Sequence, residues 1–296
     1  MPNDDNARDD CHAALRRAAR RWRVRLAGAL AHSATGCVAF GRATSAAGQV
    51  RSVVVKVLGG RSDEGCAWAA LRHYAGAGSV RLLDHADGAS LLERAVPGRA
   101  LSALVRAGRD DAATAILCDV ATALHEREAP DAGAPAFPST DDWGRGFARY
   151  RRSGDAAISA ALVDRAAAIF DELVRSQDAP RLLHGDLHHD NVLLDAGRGW
   201  LAIDPKGVRG EPSYELGAAL RNPWGAGVAP ALCASPPVVD RRSRIIAERL
   251  GHDRQRVLAW GFAQAVLSAV WSREDGDAPD HPLAVAEAIS RIRGVR

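Results

Sequence analysis

The residues His184-Gly185-Asp186-Leu187-His188-His189-Asp190-Asn191 place acids, an amide and imidazoles in one short segment. Asn191 follows Asp186 by five positions, so a tight loop can turn the amide back toward the acid. Apolar stretches flank the segment, Arg181-Leu182-Leu183 before it and Val192-Leu193-Leu194 after it. A further acid, Asp204, ends the run Trp200-Leu201-Ala202-Ile203 and precedes Pro205. The chemistry this set can serve is phosphoryl transfer to a hydroxyl. That reaction needs an acceptor aimed at the phosphorus and neutralisation of the developing charge. Asp186 is expected beside the acceptor hydroxyl, orienting or accepting its proton. Asn191 and Asp204 are expected to hold Mg2+, which favours oxygen donors and needs few from the protein. His184 reads as a brace of the loop, and His188 and His189 as loop or acceptor-pocket contacts rather than direct participants.

Lysine usage points to another part of the same site. Of 39 basic residues only Lys56 and Lys206 are lysines, the rest being arginine. Lys56 interrupts the β-branched run Val53-Val54-Val55-Lys56-Val57, where an unpaired amine would be costly to bury. A compact ammonium on such a strand can reach the phosphates of ATP. Its carboxylate partner is expected at Glu64, near the start of the next helix, with Asp63 the neighbouring alternative. Lys206 is open to two readings, contact with an acceptor-bound phosphate or pairing with Glu211.

The elements that must position these groups follow from periodicity. Residues 1–12 read as a disordered polar tail and 12–24 as a basic helix. Short apolar runs broken by Gly and Ser over 26–47 suggest strands and tight turns, and 50–58 is a strand. A helix is expected over 63–74, then strands at 80–83 and 90–93 around a turn. Pro97-Gly98 ends this small α+β unit, an N-terminal lobe of residues 13–95. Beyond it the pattern turns helical over 96–296. Ile116, Leu117, Val120 and Leu124 line one helix; Leu162, Ala166, Ile169, Phe170 and Leu173 line another. Further helices are expected at 254–271 and 283–292, and a long surface loop at 131–154.

Composition excludes several classes of function. A net charge of +3, with no basic run carrying interleaved aromatics, gives no footprint for nucleic acid. The uncharged run 222–239 holds Pro223, Pro230, Pro236 and Pro237 and reads as loop rather than membrane span. Residues 1–12 carry four aspartates and do not read as a signal peptide. The five cysteines show no pairing pattern, so free thiols in a reducing cytoplasm are expected.

The His184–Asn191 segment together with Ile203-Asp204-Pro205-Lys206-Gly207 resembles the aminoglycoside phosphotransferase family, in its streptomycin 6-kinase and hydroxyurea phosphotransferase branch. Val80-Arg81-Leu82-Leu83-Asp84, Leu91-Leu92-Glu93-Arg94 and Ala284-Val285-Ala286-Glu287-Ala288-Ile289 carry the same resemblance, which spans about residues 33–293. It implies a two-lobed protein-kinase-like fold, a small sheet lobe over a helical lobe, with ATP at a hinge from Glu93 to Ala95. It implies a loop over the phosphates at residues 32–36, with Ser33 and Thr35 using hydroxyls and backbone N–H groups in place of a glycine-rich motif. It places the usual helix glutamate at Ala67, one helical turn beyond Glu64. The segment 210–215 also carries Glu215 where the family commonly has Asp. An acceptor of the aminoglycoside type is a polycation, for which Glu215, Glu274, Asp275 and Asp277 near Trp271 are the candidate contacts. The expected activity is ATP- and Mg-dependent phosphorylation of a small molecule's hydroxyl, such as the 6-hydroxyl of streptomycin, by a monomer or weak dimer. The competing readings are a kinase of another small molecule such as hydroxyurea, and a nucleotide-binding pseudokinase regulator.

Overall fold

The computed structural model describes residues 4–33, 36–44, 48–59, 64–127, 136–225, 227–229 and 232–292, with residues 4–9 and 33 described by their backbone alone. The first lobe runs α1 (Asp4–Arg21), β1 (Val24–Ser33), β2 (Gly36–Thr44), β3 (Val50–Leu58), α2 (Ala67–Tyr74), β4 (Leu82–Ala86) and β5 (Ala89–Glu93). The second begins with β6 (Pro97–Ala100), α3 (Ser102–Arg106), α4 (Asp110–Leu124), α5 (Thr140–Ser153) and α6 (Ala160–Arg175). It continues with β7 (Arg181–Leu183), β8 (Val192–Asp195), β9 (Gly199–Ala202), β10 (Val208–Gly210), α7 (Gly217–Arg221), α8 (Pro236–Leu250), α9 (Arg254–Asp275) and α10 (Asp280–Ser290). Among the described residues no helix is long and apolar enough to cross a membrane.

Period-two alternation sets the faces of the five-stranded antiparallel sheet, ordered β1-β2-β3-β5-β4. Val53, Val55 and Val57 of β3 are buried with Leu15, Ala18 and Ala19 of α1. Val54 and Lys56 therefore point to the opposite face. Register places Val38 and Phe40 of β2 beside Lys56 and Val54, and Ser90 and Leu92 of β5 on their other side. A one-residue slip of β3 would drive the ammonium into the α1 core, so burial and charge fix this register together. A junction core of Leu71, Val80, Leu92, Ala95 and Leu201 joins the sheet to the strands of the second lobe.

Several sequence expectations are corrected here. Residues 4–12 are not a tail but the first turns of α1, whose later residues are anchored on the sheet. Cys11 and Cys37 are disulfide-bonded, while Cys66, Cys118 and Cys233 are free thiols. Their separation of 26 residues carries no pairing pattern, because α1 packing alone brings the two together. The loop expected over 131–154 contains α5, whose start is a capping box: Ser139 Oγ accepts from Asp142 N–H and the Asp142 carboxylate accepts from Ser139 N–H. The loop expected over 222–239 gives way to α8, which opens on Pro236 and Pro237, where missing N–H groups cost nothing.

The second lobe is built round α9, buried along most of its length. Arg242 of α8, 1% exposed, is the main polar fastener. Its guanidinium donates to Asp110 Oδ1 at 2.6 Å, to Ala219 O at 2.8 Å and to Asn222 O at 2.6 Å. It therefore ties α4 to the C-terminal end of α7 by occupying carbonyls that a helix end leaves open. Replacing Arg242 with Met removes the buried partner of Asp110 and leaves it the half-exposed Arg241, at 3.2 Å. Urea unfolding should show a loss of about 3–5 kcal/mol, and an Asp110→Leu/Arg242→Met pair should lose less than the sum of the single changes. Additive losses would show that the pair does not act as a unit.

Candidate active site

The catalytic-loop segment between β7 and β8 is held in place from behind. Glu215, 1% exposed, accepts from the backbone N–H of His184 at 2.7 Å and of Gly185 at 2.9 Å, and pairs with His125 Nε2 at 3.1 Å. Burial alone would raise its pKa; the His125 bond and charge, His184 and the Gly185 N–H more than offset this and hold it below the ordinary carboxylate value. The imidazole of His184 is an N–H donor at Nε2 to Ile203 O at 2.8 Å and an acceptor at Nδ1 from Asp186 N–H at 3.2 Å. It thus braces the loop against the strand end that carries Asp204. A Cβ at Gly185, whose φ is +85°, would lie 2.7 Å from the Trp143 ring, so the turn needs glycine for both conformation and space.

This scaffold sets the acidic groups. Asn191 donates through Nδ2 to Asp186 O at 2.9 Å, which fixes the amide and leaves its oxygen for another partner. Asp204 has φ +56°, a left-handed conformation that Asp tolerates better than most residues. In that conformation Oδ1 lies 2.7 Å from Lys56 Nζ. Lys56 also forms a buried ion pair with Glu64. Asp186 lies 3.7 Å from His188 Nε2 and 3.7 Å from Arg221 Nη2. Burial would raise the Asp186 pKa, but the positive charges of His188, Arg221 and Lys206 outweigh it and hold the carboxyl below its ordinary value. For His188 burial dominates and lowers the imidazole pKa, against the pull of Asp186.

A cleft of about 200 Å³ lies between the lobes. Val38, Phe40, Val54 and Leu92 line its sheet side, Leu193 and Ile203 its floor, and Glu93, Arg94 and Ala95 its connecting edge. Lys56 and Asp204 also line it. The Glu93 carboxylate is turned away to accept from Arg81 N–H at 3.0 Å and to pair with Arg198, and its backbone N–H donates to Arg81 O at 2.9 Å. Thr35 and the Ser33 side chain lie outside the described residues.

Several expected contacts fall elsewhere. Glu215 is no acceptor ligand, since backbone amides and His125 consume its buried carboxylate. His189 is fully buried, and burial together with Arg242 and His188 pushes its pKa well below the ordinary value, so it does not line an acceptor surface. Glu274 pairs with Arg149 at 3.2 Å on α5, and Asp275 is exposed in the last turn of α9. Trp271 stands perpendicular to Trp143 at 5.8 Å, which places it one ring away from the catalytic loop. Glu64 precedes α2 rather than lying on it, because the helix starts at Ala67. Glu211 pairs with Arg256 at 2.6 Å, not with Lys206, whose Nζ lies 4.0 Å from Glu64 Oε1. The sequence reading missed Trp143 and Arg221. Trp143 carried a findable signal in the Ser139–Asp142 box just before it, whereas nothing near Arg221 distinguishes it from the other arginines.

Glu215→Gln should destabilise the protein by about 2–4 kcal/mol at neutral pH, because an amide cannot accept from two N–H groups and balance His125 as a carboxylate does. The folded-state pKa lies below the ordinary 4.5, so the stabilisation is complete above 4.5 and fades as pH falls through the lower folded value. Urea titrations across pH should therefore show the two proteins converging in acid. A gap independent of pH would contradict this account.

The sequence profile described as aminoglycoside/hydroxyurea antibiotic resistance kinase matches residues 21–276. A streptomycin 3''-kinase of Klebsiella pneumoniae is 35% identical over 231 residues, covering 78% of this chain and 84% of its own. A streptomycin 6-kinase of Streptomyces glaucescens is 35% identical over 247 residues, covering 81% and 77%. A hydroxyurea phosphotransferase of Kitasatospora aureofaciens is 33% identical over 290 residues, covering 91% and 76%. In architecture the chain is similar to a choline/ethanolamine kinase family protein of Mesorhizobium loti, with a TM-score of 0.64 at 16% identity over 98% of this chain and 96% of that one. It is likewise similar to a thermostable mutant of an aminoglycoside phosphotransferase in ternary complex with ADP and hygromycin B, with a TM-score of 0.61 at 15% identity over 95% and 99%. The sheet lobe, the helical lobe and the cleft between them are thus the two-lobed protein-kinase-like fold. With a Lys-carboxylate pair above that cleft and the Asp186 loop below it, the chain belongs to the aminoglycoside/hydroxyurea antibiotic resistance kinase family, phosphotransferases that act on a hydroxyl group of a small molecule.

Proposed function

We propose that this protein is an ATP- and Mg-dependent kinase of an aminoglycoside, with streptomycin the leading acceptor and its 6-hydroxyl the leading position. The observation that carries the reading is the meeting of Lys56, from the sheet lobe, with Asp204, from the helical lobe, at one end of an apolar slot. The apolar lining of the slot suits a purine, with Ala95 at its edge and Lys56 at the end where phosphates would lie. Glu64 pairs with the ammonium in its buried position and steers it.

Asn191 and Asp204 suit magnesium: both offer hard oxygens, and the Asn191 bond to Asp186 O presents its amide oxygen rather than its nitrogen. Magnesium bound there supplies charge neutralisation on the transferring phosphoryl group. Asp186 accepts a hydrogen bond from the acceptor hydroxyl and aims its oxygen in line. Its low pKa makes it a weak base, so it serves chiefly to orient the hydroxyl and takes the proton late, when the oxygen is already bonding to phosphorus. Arg221 and His188 keep the carboxylate ionised and fix its direction.

Support for streptomycin comes from the relatives that carry that name, which include both a 3''-kinase and a 6-kinase. The hydroxyurea phosphotransferase, which covers more of this chain, favours hydroxyurea as the second reading. Incubation with ATP, magnesium and each acceptor, followed by mass spectrometry and NMR of the product, distinguishes them. Phosphorylated streptomycin is expected; product with hydroxyurea alone, or with neither, would reject the leading acceptor.

Asp186→Asn should lower kcat by about 10²–10⁴-fold while leaving the affinity for nucleotide nearly unchanged. Because Asp186 titrates below 3.8, kcat/KM in the wild type should show no inflection from this group at higher pH. Full activity of the Asn variant would remove Asp186 from the reaction.

A further inference from the structure

Away from the cleft, α1 and the β1–β2 hairpin bring together a cluster that phosphoryl transfer does not use. His12, His32 and Cys37 each offer a donor atom within 4.8 Å of the others. Cys11 is bonded to Cys37 and so holds a second sulfur beside this group, though outside the set of mutually close donors. His32 Nδ1 lies 3.5 Å from Cys37 Sγ, and the imidazoles of His12 and His32 have centroids 4.5 Å apart. Nε2 of His12 is buried and has no hydrogen-bond partner among the described residues, an arrangement that leaves a donor without work.

We propose that, with the Cys11–Cys37 bond reduced, this cluster is a tetrahedral zinc site made by the sulfurs of Cys11 and Cys37 and one imidazole nitrogen each from His12 and His32. The ligand set is the Cys₂His₂ combination that structural zinc sites use, and two thiolates with two neutral imidazoles balance the Zn2+ charge. Donors around such an ion sit roughly 3.3–3.8 Å apart; three of the four lie within 4.8 Å of one another, and Cys11, whose Cα is 6.1 Å from that of Cys37, would turn in once the disulfide opens. Reduction is a two-electron exchange with a cellular dithiol. The dithiol becomes a disulfide, its two protons pass to Cys11 and Cys37, and zinc releases both on binding.

The position gives the site a consequence. Cys37 pairs with His32 across the β1–β2 hairpin and with Val57 of β3, the neighbour of Lys56. Disulfide and zinc are thus alternative clasps between α1 and the β1–β2 pair. One clasp suits an oxidising setting and the other a reducing one.

The test uses the full chain, reduced with a dithiol under anaerobic conditions, freed of metal and offered zinc at one equivalent in the presence of a weak competing chelator. About one zinc per chain is expected by elemental analysis. Cobalt in its place should give the visible bands of a tetrahedral site with thiolate charge transfer. His32→Ala, at an exposed position, and Cys37→Ser should each lower zinc affinity by about 10²-fold or more, while Cys118→Ser should not. Oxidation to three titratable thiols, those of Cys66, Cys118 and Cys233, should expel the metal. Reduced wild-type protein that shows five free thiols yet takes up no zinc would overturn the proposal. So would zinc uptake unchanged by His32→Ala, or cobalt spectra without thiolate character.

Discussion

A buried ammonium is the constraint on which the site depends. Lys56 stands in a strand whose other face is packed on α1, and its side chain enters a slot lined by Val38, Val54 and Leu92. Desolvating that charge costs several kcal/mol unless carboxylates meet it. One carboxylate comes from Glu64, in the segment before α2, and the other from Asp204, at the end of β9. The pairing therefore does structural and chemical work together. It ties the segment before α2, and the residues just past β9, to the sheet. It also leaves an ammonium ready to exchange part of its carboxylate company for phosphate oxygens.

The lower half of the site follows a different logic. Its acidic groups are presented by backbone, and the backbone is held by buried polar contacts that never touch substrate. Glu215 takes the amides of His184 and Gly185, His184 takes Ile203 O, and Arg242 takes the carbonyls at the end of α7. From the end of α7, Arg221 reaches Asp186. A displacement of about 1 Å at any of these would misaim the acceptor oxygen, where rate depends steeply on alignment. The cost of burying Glu215 and Arg242 is offset by this rigidity, and each is fully satisfied by partners.

What was legible in the sequence is what local chemistry dictates. The β-branched run fixed β3, and the odd lysine in it pointed across the cleft. The spacing from His184 to Asn191 marked a loop, and the structure supplies the His184 brace that the reading expected. What was hidden depends on contacts distant in sequence. Glu215 was taken for a pocket acid because an exposed and a fully bonded glutamate look alike in a string of letters. Cys11 meets Cys37 only after α1 docks on the sheet. The α5 helix was masked by its own Pro- and Gly-rich approach, although its capping box was written plainly at Ser139 and Asp142.

That last omission bears on how an acceptor would be held. A cationic acceptor need not be met by carboxylates. Beside the catalytic loop the structure places two half-buried indoles: Trp143 against Gly185, with Trp271 perpendicular to it. An aromatic face attracts a guanidinium or ammonium by its quadrupole, worth about 0.5–2 kcal/mol, and excludes water as it does so. It also leaves Asp186 as a carboxylate whose direction is set by the Arg221 guanidinium and the His188 imidazole. A pocket lined by acids would compete with Asp186 for the same hydroxyls and would raise its pKa by like-charge repulsion. Recognition through rings avoids both penalties. The sparse acidity of this region is thus compatible with a positively charged acceptor, and counting carboxylates is a poor guide to what the site accepts.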